Sequence, residues 1–226
     1  MTATASMMQA LSEEGKEGFT PPSLDESPQA AIEGWSTSTA VSFVAETFPA
    51  VRLGHPDSPA LSVIAKMLRS LYLHREIREK GGAYGGFAIY NAEDGLFSFG
   101  SYRDPHIVAT LDVYSRAAEF IRAGEFSDED VKEAILQVCS EIDKPDPPGP
   151  AARKAFYRRL VGLSDETRLR HKENLLKLTR SAVVDAADKY FTPDASKRAV
   201  AVISNRELLE AANEKLKGGG LALNSV

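Results

Sequence analysis

The stretch from Ala83 to Tyr102 constrains the fold more than any other. Two strand-like runs, Ala83–Tyr90 and Leu96–Tyr102, are joined by only Asn91-Ala92-Glu93-Asp94-Gly95, whose polar residues and terminal glycine suit a tight reversal. They are predicted to pair as an antiparallel hairpin. Just before them, Asp57 and Ser58 can cap a helix that Pro59 opens, and Leu61, Ile64, Ala65, Leu68 and Tyr72 recur at helical spacing. That helix is predicted to run to about Lys80 and to stop at Gly81-Gly82, because glycine accepts the positive φ of a helix C-terminus at no steric cost.

The rest of the chain extends this pattern. Thr37 to Val51, TSTAVSFVAETFPAV, is β-branched and aromatic and reads as a core strand that Pro49 ends. Ile107, Leu111, Val113, Ala117, Phe120 and Ile121 form a helical stripe up to Gly124. Ser127 and Asp130 form a variant capping box for the next helix, with Val131, Ile135, Val138 and Ile142 on its buried side. After the break at Pro145–Pro150, helices are predicted near 151–161, 165–178 and 182–191, then a strand at 198–204 and a helix at 206–215. Strand and helix do not alternate regularly. The predicted class is therefore α+β, a largely antiparallel sheet packed against several helices. Glu13–Ala31, with its glycines and prolines, reads as a linker or extended arm, so residues 1–34 are assigned to an arm and 35–226 to the domain.

Composition removes several function classes. There are 27 Lys and Arg against 32 Asp and Glu with no block of like charge, which favours neither nucleic acid nor an anionic membrane as partner. No apolar run approaches the roughly 18 residues of a membrane span. The single cysteine, Cys139, lies in a helical pattern and reads as a small apolar residue. His55, His74, His106 and His171 are scattered, and no pair has the spacing of H-x-x-E-H or H-E-x-x-H. No metal site is readable; His74 with Glu76 reads as a surface pair. No G-x-S-x-G elbow and no phosphate-binding glycine loop occur either.

The densest cluster of unusual residues is HREIREKGGAYGG, His74 to Gly86. Arg78 offers five fixed donors for carbonyls or a carboxylate, and Tyr84 a phenol that can donate to an oxygen where negative charge develops. Another chain can lie close to the Gly81-Gly82 and Gly85-Gly86 pairs, where no Cβ shields the backbone. The plain alternative is a solvated cation at a helix end and an aromatic with a wet tip.

From Tyr72 to Gly85, the run YLHREIREKGGAYG resembles the C-terminal signature of the presequence protease and falcilysin branch of the pitrilysin-like zinc metallopeptidases, and the likeness extends to Ser101-Tyr102-Arg103-Asp104-Pro105 and His55-Pro56-Asp57. The resemblance implies an α+β domain of the M16/processing-peptidase type, the last of four in a clamshell enzyme that degrades short unstructured peptides such as targeting presequences. It implies that Arg78 anchors the substrate, that Tyr84 supports the oxyanion, and that Gly81, Gly82 and Gly85 support that substrate-binding edge. Zinc is expected in the catalytic N-terminal half, on the same chain or a partner subunit. This chain, without the inverted zinc motif, is expected to bind no cofactor and to be inactive alone. A separately encoded non-catalytic subunit or scaffold is the alternative. The implied compartment is a mitochondrion or plastid in a eukaryote and the cytoplasm in a bacterium.

Overall fold

The computed structural model describes residues 31–192, 198–216 and 219–226. The predicted arm, residues 31–34 excepted, lies outside the described residues. Six strands form one mixed sheet: β1 (Ile32–Ser36), β2 (Ser42–Pro49), β3 (Gly85–Asn91), β4 (Leu96–Asp104), β5 (Ala199–Ser204) and β6 (Ala222–Ser225), in the spatial order β3-β4-β2-β5-β1-β6. The pairs β3–β4, β4–β2 and β2–β5 are antiparallel, whereas β1 runs parallel to both β5 and β6. The predicted hairpin is β3–β4, and Gly95 closes its turn with φ of 73°.

Seven helices accompany the sheet among the described residues: α1 (Ser58–Met67), α2 (Val108–Ala123), α3 (Asp128–Asp143), α4 (Pro148–Leu160), α5 (Asp165–Leu176), α6 (Arg180–Tyr190) and α7 (Arg206–Asn213). Beyond Met67, α1 continues as a π-helix over Leu68–Lys80, a winding that usually appears as a single turn. The predicted capping box of α3 is present in both directions between Ser127 and Asp130, and Gly124 ends α2 in the left-handed conformation.

Several expectations need correction, each for a local reason. Thr37–Val41 is not strand. Thr39 Oγ1 accepts the Val41 N–H at 3.4 Å, and such a side-chain turn competes with a sheet ladder. Asp57 sits at the N-cap of α1 but makes no cap bond; its carboxylate instead accepts from Lys189 and from the Tyr190 hydroxyl on α6. The fourth helix begins at Pro148, earlier than expected, because proline fits a first turn whose N–H groups have no helical partner. Ile142 is exposed, since α3 runs out past the core in its last turn. His74 meets Glu79 at 3.2 Å rather than Glu76. Strands β1 and β6 went unread: β1 starts at Ile32, within the stretch assigned to the arm, and carries a glycine at its centre.

The core lies between the sheet and its helices. Phe48, Phe97, Phe99, Tyr114 and Phe191 pack ring against ring there, with Leu61, Ile64, Leu68 and Leu73 from α1 and its extension fully buried. The opposite face carries Phe43, Ile203 and Trp35 in one paired row across β2, β5 and β1, and all three are exposed.

Candidate functional site

Three local structures meet at one corner of the domain: the end of the π-helix, the start of β3 and the end of β4. The π-helix ends at Gly81, whose absent Cβ would stand 2.6 Å from the Ile77 carbonyl oxygen. Gly82 then takes a φ of 74°, a value that side chains resist. The turn is tied by the Gly82 N–H to the Arg78 carbonyl and the Ala83 N–H to the Ile77 carbonyl, both at 3.1 Å. Tyr84 therefore stands immediately before β3, directly beside the last turn of the helix that carries Arg78.

Glycines set how closely these parts approach. A Cβ on Gly85 would meet the Tyr102 ring at 2.7 Å, and one on Gly86 would meet Ile77 at 2.8 Å. Ile77 is buried and precedes Arg78, so the Gly86 contact fixes the distance between π-helix and β3. Gly86→Ala is expected to cost about 1–3 kcal/mol of stability, the usual penalty for overpacking. A urea midpoint equal to that of the parent would show that Ile77 gives way freely.

The side chains assembled there are exposed and uncommitted. The Arg78 guanidinium lies 5.8 Å from the centroid of the Tyr84 ring, and Arg103 on β4 lies 5.8 Å from the same centroid. Tyr102 packs against Tyr84 with ring centroids 5.2 Å apart. Tyr84 is 56% exposed. Among the described residues neither arginine has a carboxylate partner, although the nearby cations do: Glu76 accepts from both Arg75 and Lys80 at 2.8 Å. Its hydrogen bond from Lys80, opposed by some desolvation and aided by Arg75, holds the Glu76 carboxyl below its usual range. Two positive charges thus flank a phenol with no hydrogen-bond acceptor among the described residues, an arrangement suited to an electron-rich group from outside.

The sequence-predicted residues Arg78, Tyr84, Gly81, Gly82 and Gly85 all lie at this corner. Arg103 and Tyr102 were not singled out, although two consecutive large polar side chains before Asp104-Pro105 break the strand's alternation and were the available signal. The histidines do not converge, and no group of three or more His, Cys, Asp or Glu could hold a metal ion among the described residues. Among the described residues the side chains do not fit zinc. Nor is any described helix long and apolar enough to cross a membrane.

Residues 33–205 match the family model described as the PreP C-terminal domain. The mitochondrial presequence protease of Xenopus tropicalis is 39% identical over 169 residues, which is 75% of this chain and 16% of the frog protein. That of Kluyveromyces lactis is 39% identical over 157 residues, 69% of this chain and 16% of the yeast protein. The chain thus spans about a sixth of the curated relatives it matches. Among solved structures, a protease from Helicobacter pylori superposes with a TM-score of 0.69 at 18% identity, covering 90% of this chain and 51% of that one. A peptidase M16 inactive domain from Pseudomonas fluorescens gives 0.64 at 14% identity, over 83% and 47%. At those identities the likeness concerns the fold alone. The family match and the identity to the curated relatives carry the assignment: this chain belongs to the family of presequence protease C-terminal domains.

Proposed function

We propose that this chain is the non-catalytic, substrate-gripping part of a metallopeptidase that degrades short unstructured peptides. The observation that carries the reading is an exposed Tyr84 with the Arg78 guanidinium, without a carboxylate partner among the described residues, 5.8 Å from its ring centroid. Such a corner is half of a site. Arg78 suits a peptide carbonyl or carboxylate, and the Tyr84 hydroxyl donates a hydrogen bond to a carbonyl oxygen as it gains negative charge. The metal chemistry belongs to the portion of the longer relatives outside this chain, whether it is joined covalently or supplied by a partner subunit. A zinc ion held there would supply the activated water. In a eukaryote the setting implied by the frog and yeast relatives is the mitochondrion.

Tyr84→Phe, placed in the assembled peptidase, tests this reading. Turnover of an unstructured peptide is expected to fall on the order of 100-fold, the usual cost of one oxyanion donor, while KM changes little because ground-state contacts remain. Unchanged kcat would refute the role of Tyr84. The isolated chain, incubated with the same peptide and zinc, is expected to leave it intact.

A further inference from the structure

We infer that Arg103 is a third substrate-facing residue of this site, acting with Arg78 to hold negative charge on the bound peptide over Tyr84. The inference rests on the proposed function above and extends it. Along β4, Phe97, Phe99 and Ser101 point into the core, so strict alternation would turn residue 103 inward as well. It does not turn inward. Ser42 pairs with Asp104 while Val44 pairs with Ser101, so two steps along β2 are matched by three along β4, and the extra residue is a β-bulge. Bulges re-aim side chains and occur beside active sites. Here Tyr102 and Arg103 both face solvent, and the alternation resumes with Asp104 buried.

The backbone at the bulge is unusual in itself. Arg103 has φ of 50°, the only positive value among the described non-glycine residues, in a region where glycine is at ease and a long side chain is not. Its surroundings hold it there. The Arg103 carbonyl accepts the Tyr84 N–H at 3.3 Å, and the next residue, Asp104, accepts from the His106 N–H at 2.9 Å and the Thr110 hydroxyl at 2.7 Å. A turn built only for shape would be better served by glycine. What arginine adds is a guanidinium 5.8 Å from the Tyr84 centroid, matched by Arg78 at the same distance, neither with a carboxylate partner among the described residues. A ligand oxygen bound beside Tyr84 has two exposed cations near it that can turn to donate to it. Charge-assisted hydrogen bonds of that kind strengthen as the oxygen gains negative charge.

The test compares Arg103→Ala, Arg103→Gly and Arg103→Lys with Tyr84→Phe in the assembled peptidase, reading steady-state turnover of an unstructured peptide and the melting temperature. Arg103→Gly is expected to melt at or above the parent, because glycine relieves the left-handed backbone, yet to lose turnover by about tenfold or more, as Arg103→Ala does. Arg103→Lys, which keeps the charge, is expected to recover part of the loss. Parent-like turnover in the Ala and Gly variants beside a slow Tyr84→Phe would overturn the role of Arg103 and leave that of Tyr84 standing. Parent-like turnover in all of them would overturn both. A Gly variant that loses turnover and melting temperature together would make Arg103 a purely structural residue, which also defeats the inference.

Discussion

Arg198→Met is expected to destabilise the domain by about 3–5 kcal/mol at neutral pH, the range found when one partner of a buried ion pair is removed. Arg198 hydrogen-bonds Glu46 across the start of β5 and lies over the Phe48 ring, with its guanidinium carbon 5.2 Å from the centroid. Glu46 points inward from β2 and is only 6% exposed. Burial raises the Glu46 pKa above its ordinary value, and the charge and hydrogen bond of Arg198 offset only part of that rise. Methionine covers the Phe48 ring but removes the compensation, so the variant leaves a buried carboxylate with no cation. The pH dependence separates this account from simple loss of packing. A carboxyl with a raised folded pKa binds its proton more tightly when folded, so its contribution is full below the unfolded pKa and is lost as pH rises through the folded one. The deficit of Arg198→Met should therefore shrink between pH 7.5 and pH 5. Urea unfolding at the two pH values measures it, and an equal deficit at both would show that Glu46 is not the cause.

A second large effect is expected at Phe99, where truncation to alanine should cost about 3–5 kcal/mol, as buried aromatic-to-alanine changes do. Phe99 is 1% exposed, stacks on Tyr114 at 5.1 Å and lies 5.6 Å from Phe97 and 6.3 Å from Phe48. Tyr114 in turn donates to the Val44 carbonyl at 3.0 Å, which ties α2 to the sheet. Because Phe99 lies on the strand that ends in the Tyr102–Arg103 bulge, the cavity should loosen the corner as well as the core. Phe99→Leu, which refills most of the space, should recover more than half of the loss. Equal melting temperatures for Ala and parent would mean that the ring cluster does not anchor β4.

Much of this was legible because it depended on neighbours in sequence. The β3–β4 hairpin needed only Asn91 to Gly95, the stop after Lys80 only Gly81-Gly82, and the start of α3 only Ser127 and Asp130, since turns and caps are satisfied within a few residues. The elements that went unread depend on distant partners. β6 is four residues that become a strand because Glu33 to Ser36 supply parallel partners for Ala222 to Ser225. β1 carries Gly34, where a Cβ would meet Leu209 and Leu223 at 3.1 and 3.0 Å; its reason lies nearly two hundred residues away. Asp57 has the residue type of a cap, yet Lys189 and Tyr190 on α6 draw its carboxylate away.

The same division runs through the site. Which residues the proposed site draws on was determined by the sequence: the Arg78 and Tyr84 side chains, the glycines between them, and the lack of histidine pairs at metal-binding spacing are properties of the chain as written. Tertiary structure alone decided that the Arg103 guanidinium stands beside them, because its side-chain direction depends on a count of residues between two paired strands. Only when β2 matches two of its steps to three of β4 does the guanidinium turn out of the core toward Tyr84. A pattern of residue types states what a side chain can do; the register of its strand against a neighbour decides where it does it.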